Sequence, residues 1–474
     1  MSKKTGVSFL KSMLKFSLGS WVQAAIAFIS VPIVTRAFSP EEFGKFNMFT
    51  LAVSICSIFV GLSMEQSYFR FFKEKDSLND KKKMLTQCIA VCLLAFIIFL
   101  IFVVIFGNSL SNYLFGEINQ NVIYIALPLM VLLTIFMSYQ SIYFRMSENA
   151  TGYFIFGVLS VIANKIFMIL SALYNPTYTV GIYFTVLGVS MVAVGYKIFC
   201  KNSFDIYLPI FKKNEALPYI KYSFPLIPVA IIGFLNVAVV RVLLKDYLSY
   251  TALGIFTAAI TVAGLLSLIQ TGFTIYWTPF MYNNYKTELK LIKKVHSGIT
   301  FAMITMAILI ILFSDIIFLI LGEKYRLGKS IFAFLLITPV VETISLTTCY
   351  GIFINKKTHL HIYSATISFA INAIIGFLLI PKIGILGAAI ANATGGIALF
   401  LARTFLGLRE YNSVEKFSRT IYSIIILIIA SYINYIITNV IYRDVSIIIL
   451  LFLVGFMYRD IVRLGINLIK KGNR

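Results

Sequence analysis

Hydrophobic positions gather into about fourteen long runs, with approximate cores at 16–37, 43–64, 84–107, 120–144, 153–174, 178–199, 222–244, 251–276, 297–321, 331–354, 362–380, 385–407, 419–441 and 445–465. Each is long enough to cross a hydrocarbon layer of roughly 30 Å as a helix, which takes about 20 residues. The polar positions between the runs carry a second pattern. With the gaps numbered alternately from the N-terminus, and cations at a run's end counted with the adjoining gap, 31 of the 41 Lys and Arg residues fall in one set of gaps. Nine fall in the other, and Lys165 lies inside a run. Basic residues of short loops stay on the cytoplasmic side, so the bias predicts fourteen spans with both termini in the cytoplasm. One span more or fewer would scramble it. The expected fold class is an all-α polytopic membrane protein.

Composition agrees: 59% of residues are hydrophobic and 13% charged, against roughly 25% charged in a soluble domain. The net charge of +22 does not point to nucleic acid, because the cations are spread over loops beside membrane ends. There they meet anionic membrane lipids, worth about 1 kcal/mol per cation. No loop is long enough to be a domain; the longest lie near 200–221 and 277–296. Lys3, Lys4, Lys11 and Lys15 precede a run that continues to Arg36 without a small-residue cleavage site, which reads as a retained first span. Val7–Phe16 reads as a short amphipathic lead-in lying in the interface.

The cysteines Cys56, Cys88, Cys92, Cys200 and Cys349 all fall in or at the ends of spans and read as small apolar fillers. Cys88 and Cys92 share a helix face, but no His or carboxylate completes a metal site around them. His359 and His361 stand beside Lys356 and Lys357 and read as solvated loop residues. There is no phosphate-binding glycine loop, so direct ATP drive is not expected. Apart from Glu41-Glu42, which reads as a helix start, no outer-side carboxylate or His cluster offers a catalytic constellation. The expectation is a protein that is not an enzyme and needs no cofactor.

The first six spans and the next six read as two copies of one unit. Phe43-Gly44-Lys45-Phe46 opens the second span and Leu253-Gly254-Ile255-Phe256 the eighth, 210 residues on. Ser141-Ile142-Tyr143-Phe144 closes the fourth span and Gly351-Ile352-Phe353-Ile354 the tenth, at the same offset of 210. Six spans is an even number, so both copies insert the same way up, with a pseudo-two-fold axis along the membrane normal, as in transporters built of parallel halves. The expected organisation is an N-lobe at 1–199, a cytoplasmic linker at 200–221, a C-lobe at 222–407, and an appendage of spans thirteen and fourteen with a cytoplasmic tail at 408–474.

Two charges stand well inside spans. Lys165 lies in the fifth beside Asn164, and Glu342 lies in the tenth on a face shared with Thr338, Ser345 and Cys349. A charge at the bilayer centre costs about 2.5–3.5 kcal/mol on insertion scales, so such groups normally face protein or a hydrated cavity. Tyr153, Ser160, Asn164 and Ser171 form a similar stripe on the fifth span, and polar stripes in both halves suit a hydrated central cavity. A structural ion pair between Lys165 and Glu342 is the other reading. Four cations stand near span ends: Arg36 and Arg241 on the outer side, Arg70 and Arg145 on the inner. Guanidinium groups bind phosphate oxygens in pairs, whereas most end-of-span arginines extend to headgroups. Trp21, Tyr68, Tyr276 and Trp277 are suited to stacking on sugars, although an interfacial belt is the ordinary reading of Tyr276 and Trp277.

Several runs resemble the polysaccharide repeat-unit flippases of the Wzx type, the O-antigen and capsule exporters of the multidrug/oligosaccharidyl-lipid/polysaccharide exporter superfamily. They are Gly19-Ser20-Trp21, Val31-Pro32-Ile33-Val34-Thr35-Arg36 through Phe43-Gly44, Tyr68-Phe69-Arg70-Phe71-Phe72, Ser223-Phe224-Pro225-Leu226-Ile227-Pro228 and Trp277-Thr278-Pro279-Phe280. Tyr350-Gly351-Ile352, Lys356-Lys357-Thr358, Asn372, Ile380-Pro381 and Gly387-Ala388-Ala389-Ile390-Ala391 complete the likeness, which is clearest over residues 16–407. One departure is Val239-Val240 before Arg241, where such proteins often carry an acid. The resemblance implies alternating access in a bacterial cytoplasmic (inner) membrane. Its implied cargo is an undecaprenyl-pyrophosphate-linked oligosaccharide, moved from the cytoplasmic to the outer leaflet. Lys165, Arg36, Arg145, Arg241, Arg70 and Asn164 are then the candidate contacts to pyrophosphate and glycan. Glu342 is the candidate for a coupling proton or sodium ion. Membrane lipids and polysaccharide polymerase machinery are the other implied partners. A proton- or sodium-coupled multidrug exporter of the same superfamily is the alternative.

Overall fold

The computed structural model describes residues 22–463 other than 23, 24, 27, 76, 148, 200–210, 356 and 358. The lead-in Val7–Phe16, Trp21, Cys200, Lys356 and the first half of the 200–221 segment lie outside the described residues, as does the side chain of Tyr276. Among the described residues there is no strand. Thirteen helical stretches are long and apolar enough to cross a membrane, and a shorter apolar helix, α1 (Phe28–Ala37), adds a fourteenth apolar segment. The protein is an all-α polytopic membrane protein. The chain divides into two compact units, Met1–Ala238 and Val239–Arg474.

The first unit continues from α1 with α2 (Pro40–Gly61), whose start is set by Ser39. The Ser39 hydroxyl accepts from the Glu42 amide at 3.2 Å, Pro40 occupies the first turn, and Glu41 and Glu42 face the positive end of the helix dipole. The span then breaks. Leu62 and Ser63 both adopt left-handed backbone (φ 46° and 52°), and α3 (Met64–Phe71) leaves in a new direction. Two consecutive non-glycine residues in that region cost about 1–3 kcal/mol each, so surrounding packing holds the break in place. Next come α4 (Leu78–Phe115), α5 (Leu127–Met146), α6 (Ala150–Tyr174) and α7 (Tyr178–Phe199). The helix α4 ends at Gly116, whose φ of 74° suits only glycine without strain. A short helix, α8 (Lys213–Ser223), packs on α3 and α4, and the Ser67 hydroxyl donates to the Tyr219 carbonyl at 2.7 Å.

The break between units falls within α9 (Ile227–Tyr247). The second unit then holds α10 (Tyr250–Ala263), α11 (Ser267–Asn284), α12 (Leu289–Leu312), α13 (Ser314–Ile320), α14 (Lys329–Leu335), α15 (Ile337–Thr348), α16 (Tyr350–Ile354), α17 (His359–Ile383), α18 (Ile385–Glu410), α19 (Phe417–Ile436) and α20 (Val440–Met457). The core of this unit centres on α15, which packs on α11, α12, α18 and α19. Outward faces are apolar: α4 exposes Ile97, Ile101, Val104 and Ile105, and α20 exposes Ile441, Val445, Ile449, Phe452 and Phe456. Stripes at this helical spacing are stable against lipid tails and not against water.

Candidate functional site

In the first unit, Lys165 stands near the middle of α6, half-buried, with no hydrogen bond or ion pair among the described residues. Its neighbour Asn164 is half-buried and likewise makes no hydrogen bond among them. The serines of the same stripe are satisfied within the helix: Ser160 donates to the Phe156 carbonyl at 2.6 Å and Ser171 to that of Met168 at 2.7 Å. Among the described residues, Asn164 and the adjacent lysine make no hydrogen bond. A lysine costly to insert and left without a carboxylate is an anion-seeking group.

The span-end arginines separate into two places in this unit. Arg70 on α3 and Arg145 at the end of α5 are both exposed and come to one end, where the Arg145 guanidinium lies 4.9 Å over the Phe69 ring. Arg70 is paired with Glu74 and leans on Phe71. Arg36 is exposed at the end of α1, just before α2. Near the start of α2, Lys45 lies 3.5 Å from both Glu41 and Glu117. The Tyr178 amide donates to Glu42 at 2.5 Å and its hydroxyl to Glu117 at 2.8 Å. These carboxylates tie α2, α4 and α7 together, a structural role.

In the second unit, Arg241 is half-buried on α9 with no hydrogen bond or ion pair among the described residues. Glu342 is half-buried on α15, and its carboxylate accepts no hydrogen bond among the described residues. The charged group that acts on it is Arg403, two-thirds of the way along α18. Counting Arg403 with the basic loop that follows α18 hid it from the sequence reading. The rest of the Glu342 stripe is satisfied elsewhere: the Thr338 hydroxyl donates to the Asn392 side chain of α18 at 2.8 Å, and Ser345 donates within α15 to the Glu342 carbonyl at 2.7 Å.

Two polar clusters had no signal in the sequence reading. His296 is fully buried between Thr347 (Nδ1 to Oγ1, 2.6 Å) and Thr420 (Nε2 to Oγ1, 2.9 Å), joining α12 to α15 and α19. Thr347 already donates to the Ile344 carbonyl, so its oxygen is left to accept from His296 Nδ1–H. At the start of α20, Arg443 is 2% exposed and pairs with Asp315 and, at 2.8 Å, with Asp444; Lys329 also pairs with Asp315. Burial alone would raise the Asp315 carboxyl, but hydrogen bonds from Arg443 and Lys329 outweigh it and hold the group below its ordinary range. This cluster clamps α13, α14 and α20.

The aromatic expectations are corrected. Trp277 is not in an interfacial belt: it is 1% exposed, donates Nε1–H to the Leu346 carbonyl at 3.2 Å, and stacks with Phe273 and Phe280. Tyr68 offers no face to a sugar, being buried against Phe72 and Tyr139. Aromatic residues at the end of an even-numbered span here pack on the span that follows two later. His361 is not a solvated loop residue either. It lies in the first turn of α17 with its ring 4.4 Å from that of Phe353.

A helical bundle with charges lodged in its spans defines a polytopic membrane protein. Among solved structures the chain is similar to the lipid II flippase MurJ in an inward closed conformation, with a TM-score of 0.70 at 16% identity, covering 94% of this chain and 99% of that one. It is also similar to an inward-facing multidrug resistance MATE family transporter of the MOP superfamily, with a TM-score of 0.58 at 13% identity, covering 81% of this chain and 94% of that one. The capsular polysaccharide biosynthesis protein CapF of Staphylococcus aureus is 24% identical over 391 residues, 78% of this chain and 91% of the relative. Residues 9–283 match the family model of the polysaccharide biosynthesis proteins, and the chain belongs to that family.

Proposed function

We propose that the protein is a flippase that carries undecaprenyl-pyrophosphate-linked oligosaccharide repeat units from the cytoplasmic to the outer leaflet by alternating access, for capsule, O-antigen or exopolysaccharide assembly. It acts in a bacterial cytoplasmic membrane with both termini in the cytoplasm, the side favoured by its basic loops. The observation that carries this reading is Lys165, a mid-span cation without a carboxylate among the described residues, in a chain of the polysaccharide biosynthesis family. A pyrophosphate crossing a low-dielectric layer needs such a cation, whereas its polyprenyl tail is at home in lipid. Arg36, Arg70, Arg145, Arg241 and Asn164 assist along the way, and Glu342 takes the coupling proton or sodium ion.

The test is a proteoliposome assay with the native lipid-linked glycan, in which an externally added glycan-modifying enzyme reports leaflet exposure. Protein-dependent exposure is expected. Its absence, with authentic glycan and an imposed ion gradient, would overturn the reading in favour of export of a soluble substrate.

A further inference from the structure

The helices α15 and α18 run side by side in the same direction and are pinned at two levels. At one, Thr338 donates to Asn392, and a Cβ on Gly396 would come 2.7 Å from the Thr338 hydroxyl. At the other, Thr348 and Thr404 share a hydrogen bond of 2.8 Å, and a Cβ on Gly407 would collide with the Thr348 carbonyl oxygen. Glu342 lies on α15 between these levels. Arg403 lies beside the second, and helical side chains slope toward the N-terminus of their own helix, which directs it back along α15 toward Glu342.

The antiparallel α17 brings a third group. Ser368 donates to the Gly395 carbonyl at 2.9 Å, and seven residues along each helix from that contact stand His361 and Ala402, the residue before Arg403. His361 therefore lies at the level of Arg403, which acts on it as it does on Glu342. Three polar groups thus share one neighbourhood and leave one another unpaired. Arg403 Nε and His361 Nε2 are buried with no hydrogen-bond partner, and no ion pair joins Arg403 to Glu342 among the described residues. A buried donor without an acceptor costs about 1–3 kcal/mol, more when charged. An unpaired guanidinium N–H at the level of an unpaired imidazole nitrogen, a donor in its Nε2–H tautomer, points to a missing acceptor with several oxygens. A guanidinium and an imidazole N–H suit a phosphate group, the guanidinium in a bidentate way.

We propose that Arg403 and His361 form a diphosphate-binding point in the second unit, and that Glu342 competes with the cargo's diphosphate for Arg403. The inference rests on the flippase reading and adds to it a binding point outside the cations of the first unit. With no cargo present, Arg403 is held by the field of Glu342; when a diphosphate arrives, the guanidinium turns to it and Glu342 loses its counter-charge.

The experiment uses the full-length chain in nanodiscs with farnesyl diphosphate as probe, binding being followed by calorimetry. Arg403→Gln is expected to weaken binding at least about tenfold, equivalent to about 1.4 kcal/mol, with partial recovery in Arg403→Lys. His361→Gln is expected to weaken it less. Glu342→Gln is expected to tighten binding several-fold, a gain that misfolding cannot produce. If Lys165→Ala weakens binding while Arg403→Gln does not, this inference falls and the flippase reading stands. If wild type binds farnesol as well as farnesyl diphosphate, both fall. If phosphatidylglycerol displaces the probe from wild type but not from Arg403→Gln, the point is a site for membrane lipid, and the diphosphate assignment is overturned.

Discussion

In the first unit, the second span starts at a serine cap, runs 22 residues as α2 and breaks at Leu62–Ser63 before α3. In the second unit, α10 starts at a serine cap 210 residues further on and breaks at the tight turn Gly264–Leu266 before α11. Ser39 accepts from Glu42 at 3.2 Å and Ser249 from Ala252 at 3.1 Å, so even the caps match. The charges do not. Among the described residues, the first unit keeps at mid-span a lysine with no hydrogen bond or ion pair; Glu41, Glu42 and Glu117 lie at the ends of α2, α4 and α7, and one half-buried acid, Glu65, stands in α3 just after the break. The second unit sets an acid and a base on adjoining helices and adds a buried histidine held by two threonines and a buried arginine clamp. Two units alike in skeleton can share their backbone signals while their intramembrane chemistry differs, because caps and breaks satisfy the helix itself and buried charges answer to the side chains packed around them.

The strongest way to break this contrast is to neutralise the acid of the second unit. Glu342→Gln is expected to cut gradient-driven flipping at least about tenfold, about 1.4 kcal/mol in the rate-limiting step, while leaving passive exchange in place. Transport that stays intact and gradient-dependent in that variant would remove Glu342 from coupling. Next in size is packing. Gly407→Ala forces a methyl group against the Thr348 carbonyl and is expected to cost about 1–3 kcal/mol, read as a lower melting temperature in detergent. Gly195→Ala in α7 of the first unit meets nothing within 4 Å and is expected to be neutral or slightly stabilising.

The arginine clamp gives a smaller effect that depends on pH. The Asp315 carboxyl is held below its ordinary value in the folded protein. Its stabilisation is therefore present above the unfolded carboxylate pKa, about 3.9, and is lost as pH falls through the lower folded value. Melting curves of wild type and Asp315→Asn are expected to converge on acidification below that range and to separate above it. Curves that run parallel at every pH would show that the carboxylate charge does not matter. The smallest effects test the shared skeleton: Ser39→Ala and Ser249→Ala should each lower stability by about 1 kcal/mol. A large difference between the two would mean that the caps are not equivalent.

The sequence made the span count and class legible because lipid imposes a simple rule on length and on cation placement. Lys165 and Glu342 were legible for the same reason, as charges in apolar runs. Arg403 was not, since an arginine seven residues before the end of α18 looks like any headgroup-seeking cation until its neighbours are known. His296 follows Lys293 and Lys294 and reads as part of a basic loop; only the fold closes Thr347 and Thr420 around it. Trp277 was misread because an aromatic at a span end has the same local signature whether it faces headgroups or the end of α15. Periodicity reports which positions avoid water, and contacts between helices far apart in the chain decide which polar groups find partners.

The central claim is that Lys165, the mid-span lysine of α6, carries the anionic head of a lipid-linked glycan across the membrane. The direct measurement is leaflet exposure of that glycan in proteoliposomes containing wild type, Lys165→Ala or Lys165→Arg at matched protein content. The account predicts exposure in wild type, loss of at least about tenfold in Lys165→Ala, the scale of one charge-assisted hydrogen bond, and substantial recovery in Lys165→Arg. Equal exposure in all three would contradict it and leave Lys165 a structural residue.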